Sequence, residues 1–458
     1  MSRRCLVLSI LLFGLCGLAL SSNAANDLPR SSVLDKAWLS YQRHYDGANG
    51  GVKGSPKRPL DVPVRFLLRE QRRVKSQQAL RMARRTLDAM QQGGIYDAVA
   101  GGFYDYALDV TWENPHLDKN LVVNARLALA YVEAYQVTGN QSYAETASAT
   151  LRFAMRELTD SDGLFFSGQR VDPRDGTLRD ERKIVAWNAL MISSLVRAGE
   201  ALEEPEFSQA ALRGADAILE NGFVEGRLSR VLPAEGVTAQ GELDDHVFLE
   251  ASLIDLFEAT AQEKWLASAT SLQETLDQKF WDAKEGGYFS TAVDHEEVLA
   301  REKSLRGGAL PSGNAVAAMN LLRLYSLTAS DEYRRRAQEL LRAFDLELAE
   351  APGRASEMLL ALDFYFDTPK EILIVAPEDR NQADPFVRQL HATFVPNRIL
   401  VVVSQEEAEK LSERLPVFQG KRALGGAVTA YVCENHTCER PVTALEDFRE
   451  QLLKSDPR

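Results

Sequence analysis

The chain is poor in the residues that carry most covalent chemistry. It has four cysteines and six histidines among 458 residues. No phosphate loop, dinucleotide fingerprint or serine-hydrolase elbow is present, and "GGF" and "GGY" lack the strand–turn–helix setting that such motifs need. No C-x-x-C redox pair occurs, and the acidic pairs lack EF-hand spacing. Nothing here calls for a cofactor or a metal. Positive charge is also in deficit, with 53 Lys and Arg against 66 Asp and Glu, a net charge of -13. Phosphate backbones and anionic membrane surfaces would be repelled, so nucleic acid and membrane are not expected partners.

The scarce cysteines sort into two groups. Cys5 and Cys16 fall in "MSRRCLVLSILLFGLCGLALSSNAA", which has a basic start at Arg3 and Arg4, an apolar stretch over 6–20 and small residues at Ser22 and Ala24. This reads as a secretory signal cleaved after Ala24. An uncleaved anchor is the weaker reading, because the apolar core is short for a bilayer. A lipoprotein is disfavoured, because Leu15 before Cys16 is not small. Residues 1–24 are therefore expected to leave, giving a secreted or periplasmic protein without membrane attachment. Cys433 and Cys438, in "YVCENHTCERP", remain as a candidate disulfide in an oxidising compartment. His436 between them raises zinc, but the set is one ligand short of a closed site.

What the chain has in quantity is helix. "LVVNARLALAYVEAY", "AWNALMISSLV", "VFLEASLIDLF" and "NAVAAMNLLRLYSL" are apolar nearly all round, as helices buried on most sides are. Between them lie amphipathic helices. Over 265–280, Trp265, Ala269, Leu272, Leu276 and Phe280 share a face, and over 335–348 Ala337, Leu340, Leu341, Phe344 and Leu348 do the same. Tyr143, Phe207, Trp265 and Tyr333 mark the polar turns inside successive pairs. A buried helix followed by an amphipathic one at this period is a hairpin array. Closed on itself it is an (α/α)6 toroid over 32–366. Hairpins begin near 62, 120, 186, 244 and 313, and a sixth joins 356–366 to 32–44. An open solenoid is the alternative. After 367 the pattern changes to short β runs, "EILIVA", "RILVVV" and "AVTAYVC", with helices between. Residues 367–458 thus form a small α/β appendage packed on the toroid.

Long glycine-rich connections precede the inner helices at 93–119, 162–185, 222–243 and 285–312. Loops of this length in a compact domain are functional or disordered, and their aromatic and polar content argues for order. They gather at one mouth, where helix N-termini offer N–H groups. Acid–base candidates there are His116, Asp118, Asp245 and His246, with Asp109 and Asp244 nearby. Glycoside hydrolysis needs paired carboxyl groups, and epimerisation needs a base beside an acidic carbon. Tyr104, Tyr106, Trp112 and Trp187 could stack on sugar faces, while Glu113, Asn188, Ser312 and Asn314 could hydrogen-bond hydroxyls. Each has a plainer reading. Asp118 and Asp244 stand where N-caps belong, His116 could bond a loop carbonyl, Lys119 could pair with a mouth carboxylate, and Trp187 could be core. "SGN" at 312–314 reads equally as a turn and cap.

The segments "GGIYDAVAGGFYDYALDVTWENPHLDKNL", "GGVKGSPKRP", "RKIVAWNALMIS", "LDDHVFLEASLIDLFEAT", "FWDAKEGGYFST" and "GGALPSGNAVAAMNLLRL", with "VPNRILVV" near the C-terminus, resemble the spermatogenesis-associated protein 20 family, which includes bacterial YyaL proteins. The resemblance covers essentially the whole mature chain. It implies a toroid similar to N-acylglucosamine 2-epimerases and six-hairpin glycosidases, joined to an N-terminal thioredoxin-like domain. The toroid pattern starts soon after the leader, so that domain is not expected here, and a separate thioredoxin-like protein docking in trans is one implied partner. The chain departs from the family pattern at Tyr104 and Asp105, which replace a His-Arg pair, and at Val123, Arg182 and Gly307. The expected function is action on a carbohydrate ligand at the toroid mouth by acid–base residues. The alternative is a binding or scaffold protein that has lost the activity.

Overall fold

The computed structural model describes residues 27–454 apart from 173, 175, 234–238 and 296–299. The leader expected over residues 1–24 lies outside the described residues. Six inner helices, α2 (Val64–Val74), α4 (Leu121–Thr138), α6 (Val185–Ala201), α8 (Leu243–Thr260), α10 (Gly313–Thr328) and α13 (Ser356–Phe366), each touch the next. Helix α13 touches α2 again, closing the ring. Helices α3 (Gln77–Gln92), α5 (Gln141–Glu157), α7 (Pro205–Asn221), α9 (Glu263–Lys279) and α11 (Asp331–Ala343) pack outside their inner partners, and α1 (Ser32–His44) backs α13. The fold is the (α/α)6 toroid, with the sixth hairpin assembled from the two ends of the repeat. A short helix, α12 (Asp345–Glu350), links α11 to α13.

Inner helices α4, α6, α8, α10 and α13 are apolar on most sides because both faces are covered, by outer helices and by their neighbours in the ring, whereas α2 is charged on one side with Arg65, Arg69, Arg72 and Arg73. Short turns enforce the pairing. Helix α4 ends at Gly139 in the left-handed region (φ 67), and Asn140 immediately caps α5 by accepting the Ser142 N–H at 3.2 Å. Tyr143, Phe207 and Trp265 at the turns are fully buried. Each adds roughly 1.5–3 kcal/mol of apolar burial. Tyr333 is only half-buried, at the ring's last full hairpin.

One small device recurs four times, ahead of α2, α4, α6 and α10. In "YDGANGGV", "YDAVAGGF", "TDSDGLF" and "WDAKEGGY" the first and last residues pair across a tight hairpin: Tyr45 with Val52, Tyr96 with Phe103, Thr159 with Phe165, Trp281 with Tyr288. One carboxylate oxygen of Asp46, Asp97, Asp160 or Asp282 takes two backbone N–H groups of the turn. The other takes a lysine from the start of the next segment: Lys57 at 2.8 Å, Lys119 at 2.7 Å, Lys183 at 2.6 Å and Lys303 at 2.6 Å. Glycine is required where these hairpins meet the outer helices. A Cβ on Gly102 (φ 80) would sit 2.6 Å from the Phe153 ring.

The C-terminal unit is a four-stranded sheet of β4 (Lys370–Ala376), β5 (Arg398–Ser404), β6 (Thr429–Glu434) and β7 (Thr437–Cys438), numbered after the mouth strands β1 (Asp118–Asn120), β2 (Gly168–Asp172) and β3 (Gly176–Asp180). Its order is β7–β6–β4–β5, with β4 and β5 parallel and the other pairs antiparallel. Alternation assigns the two faces. Ile372, Ile374, Leu400 and Val402 face α14 (Asp384–His391) and α16 (Leu445–Leu453) in a core of their own. Leu373, Val375, Ile399, Val401 and Val403 join the toroid core. Strand β5 lies against α8 and α10. A further helix, α15 (Gln405–Ser412), follows β5. Cys433 and Cys438 are joined by a disulfide between β6 and β7.

Candidate functional site

Six of the sequence candidates turn into the wall of the toroid. Asn188 accepts the Phe165 N–H at 2.6 Å and donates to Phe165 O at 2.9 Å and Ile184 O at 3.0 Å. Asn314 does the same for Tyr288, accepting its N–H at 2.8 Å and donating to its carbonyl at 2.9 Å. Asn124 does so for Phe103. These asparagines lock the last residue of three of the four loop hairpins onto an inner helix. His246 stands in the corresponding slot of α8, with Nδ1 2.8 Å from Glu242 O and its ring 4.9 Å from that of Phe280. Burial pushes its imidazole down to about 4. Asp245 accepts the Glu242 N–H at 2.9 Å in a capping box and the Ala186 N–H of the neighbouring helix at 3.1 Å. Burial holds its carboxyl up at about 7. Ser312 Oγ bonds Ser304 O at 2.9 Å, and fully buried Trp112 donates to Asn49 O at 2.9 Å.

The others stay on the outer mouth. His116 stacks on Tyr106 with centroids 4.7 Å apart, and its Nδ1 is 3.8 Å from Asp118. Tyr104 hangs over the Lys119–Asp97 latch, its hydroxyl 3.4 Å from Asp97. Glu113 is exposed, its N–H taken with that of Asn114 by Asp109. Helix α4 is capped by Asn120, not Asp118, and the cap of α8 is Glu242, not Asp244, whose carboxylate receives the Gly313 N–H. Asp118 and half-buried Trp187 line a surface groove of about 400 Å³ with Asp105, Arg179 and Arg182. Burial raises Asp105 to about 6, and the neighbouring Asp118 charge adds to it.

A different constellation occupies the ring axis. The inner faces of the inner helices enclose a cavity of about 180 Å³, floored by residues 393–396 with His391, Arg398 and Leu400 of the C-terminal unit. None of the twelve catalytic and binding candidates from the sequence lines it. Its lining holds six arginines and five carboxylic acids. On one side Glu133 takes Arg65 at 2.8 Å and Arg69 at 2.7 Å, and Glu357 takes Arg126. Burial opposes the charge on Glu133, but the two guanidinium groups outweigh it and hold the acid down at about 2. Arg126 also donates to Gly308 O and Ala309 O of the 285–312 loop. Towards the floor Asp255 takes Arg197 at 3.0 Å and Arg323 at 2.7 Å, and Glu258 takes Arg323 at 2.7 Å. Arg197 lies deep in the fold, yet 35% of its side chain stays accessible, because the surface it shows is the cavity wall.

Glu200 is different. Among the described residues it has no cation within 4.0 Å and no hydrogen bond, and burial raises its carboxyl to about 7, partly offset by Arg398. A carboxyl poised near neutrality in a cavity wall can give or take a proton. The sequence carried a signal for this site. Arg126 and Glu133, seven residues apart in an otherwise apolar helix, share one face, as do Arg197 with Glu200 and Asp255 with Glu258.

Six helical hairpins closed around a charged axial cavity define a six-hairpin glycosidase-like toroid. Solved structures of that class superpose. Cellobiose 2-epimerase from Bacillus thermoamylovorans does so with a TM-score of 0.58 at 10% identity, covering 72% of this chain and 97% of that one. D-mannose isomerase gives 0.56 at 16% identity, with 68% and 84% covered. A GH76 α-mannanase of Bacteroides thetaiotaomicron gives 0.53 at 14%, with 73% and 95% covered. At these identities the likeness is one of fold. By sequence the chain is a relative of spermatogenesis-associated protein 20. It is 28% identical to the human protein over an alignment 544 positions long, covering 92% of this chain and 69% of that one. An uncharacterised Caenorhabditis elegans protein is 24% identical, with 94% and 75% covered. No model of a known protein family matches.

Proposed function

We propose that the protein is an exported toroid that acts on a small carbohydrate in its axial cavity, with Glu200 as the acid–base group. The fold is shared with proteins named as a sugar isomerase, a sugar epimerase and a mannanase. The observation that carries the reading is the free Glu200 carboxyl in a cavity whose other acids are each bound to arginine. Glycoside hydrolysis uses two available carboxyl groups. Moving a proton at a carbon beside a carbonyl needs one well-placed base with a pKa near the working pH. Isomerisation or epimerisation therefore fits better than hydrolysis. A cavity of about 180 Å³ suits one small sugar rather than a chain.

The test is proton exchange. Purified protein in deuterium oxide is offered aldoses, ketoses and amino sugars, and label at the carbon beside the carbonyl is read by NMR. Exchange is expected with one of them and should fall at least a hundredfold in Glu200→Gln, whereas His116→Ala keeps it. Exchange lost in His116→Ala but kept in Glu200→Gln would move the chemistry to the outer groove. No exchange with any sugar favours a second reading, binding without turnover, which the saturation of the other four acids supports. Export rests on the leader and is tested by the N-terminus of periplasmic protein. Starting at Met1 would overturn it. Docking of a thioredoxin-like protein in trans is tested by pull-down from the same fraction.

A further inference from the structure

The floor of the cavity is not balanced pair by pair. Arg197 and Arg323 are matched by Asp255 and Glu258. Arg398, the first residue of β5, is not. Among the described residues no carboxylate lies within 4.0 Å of its guanidinium, and its one hydrogen-bond contact is His391 Nδ1 at 3.5 Å. Glu200 is its strongest electrostatic neighbour, yet the two do not pair. A guanidinium withdrawn from bulk water without an anion is strongly disfavoured. Its planar fork of donors matches the two oxygens of a carboxylate or phosphate. His391 is 6% exposed, and its Nε2 has no hydrogen-bond partner. With Nδ1 accepting from Arg398, the ring proton sits on Nε2, a second unspent donor that lies just behind the cavity wall with no surface of its own open to it.

We propose that Arg398 and His391 form a recognition site for an anionic group, carboxylate or phosphate, on a small sugar held in the axial cavity opposite Glu200. This rests on the carbohydrate reading of the cavity and narrows it to acidic sugars. It also makes the C-terminal unit part of the site rather than an appendage, since both donors come from it. The lining favours an anion, with six arginines against five acids. With burial holding Glu200 up at about 7, a large share of it is neutral at pH 7, which lessens the nearest repulsion while leaving carboxylate to act as base.

The experiment is calorimetric titration of the full chain with a hexuronate, a hexose monophosphate, inorganic phosphate and the neutral hexose. One of the two charged sugars is expected to bind at least tenfold tighter than the neutral hexose, and which one tells carboxylate from phosphate. Arg398→Gln should erase that preference and Arg398→Lys should keep part of it. Arg398→Gln should also melt no lower than the native protein, because it orphans no carboxylate. If it fails to fold, a partial loss of preference in Arg398→Lys and competition by inorganic phosphate are read instead. Equal binding of neutral and charged sugars, or a preference that survives in Arg398→Gln, overturns the anion site and leaves the carbohydrate reading standing. Inorganic phosphate binding as tightly as either charged sugar overturns the sugar, not the anion. No binding by any sugar overturns the carbohydrate reading itself.

Discussion

Replacing Asn188 with alanine separates a wall residue from a ligand-binding one. In the native fold its amide holds both main-chain groups of Phe165, the N–H at 2.6 Å and the carbonyl at 2.9 Å. Phe165 is fully buried, so water cannot replace the lost partner. A buried polar group stripped of its hydrogen bond costs about 1–3 kcal/mol, so two such groups cost about 2–6 kcal/mol. That is a large share of a total stability of about 5–15 kcal/mol. The Ile184 carbonyl adds little, because it lies at the start of α6, where the helix N–H ladder can serve it. The assay is urea unfolding followed by near-ultraviolet circular dichroism, with hydrogen exchange of residues 159–167 read alongside. Asn188→Ala should lower the midpoint and release the Phe165 amide, Asn314→Ala should do the same at Tyr288, and exposed Glu113→Ala should move neither. An unchanged midpoint with a protected Phe165 amide, accompanied by lost sugar binding, would refute the wall assignment and restore Asn188 to the ligand.

Two further perturbations follow from the buried charges. Glu133→Gln leaves Arg69 without its carboxylate and Arg65 with only Glu357 at 3.7 Å, and should destabilise by about 3–5 kcal/mol. Glu133→Gln together with Arg69→Met should recover part of that loss, and a double variant no better than the single would refute the pairing. Glu250 is fully buried, with Oε2 taking Asn320 at 2.9 Å and Oε1 unpartnered, and burial raises its carboxyl to about 8. An unfolded glutamate titrates near ~4.3, so the folded state holds the extra proton between those values and stability falls as pH rises through them. Asp245 and Glu200, both near 7, act in the same direction. His246 and His391, pushed down to about 4 and about 3, stay neutral in the fold and are nearly neutral unfolded above pH 7. The urea midpoint should therefore be lower at pH 8.5 than at pH 7, and Glu250→Gln should flatten the slope. A midpoint that rises with pH would count against a protonated Glu250.

Period and polarity made the ring legible in the sequence, whereas the direction in which polar residues point was not. Helices apolar all round demand cover on every side, and alternation with amphipathic partners leaves few arrangements besides closure. The loops were harder, because His246, Asp245, Asn188 and Asn314 are the residue types that catalyse and also the types that cap helices and hold backbone. What separates the roles is whether the main-chain groups of "GGF", "GLF" and "GGY" need a partner, and buried hairpins of that kind do. The four Asp–Lys latches answer the same need, so polar density at the mouth reflects loop construction as much as chemistry. A charged residue inside an apolar helix has no such local task. Arg126, Glu133, Arg197, Glu200, Asp255 and Arg323 interrupt largely apolar runs and line the cavity, whereas Glu250 in the same helix as Asp255 turns to Asn320 instead. Burying them is tolerable only where they pair with one another or meet a polar ligand. In a closed ring of helices the one place that allows both is the axis. The interruptions within the most apolar segments, rather than the polar clusters between them, therefore point to the cavity.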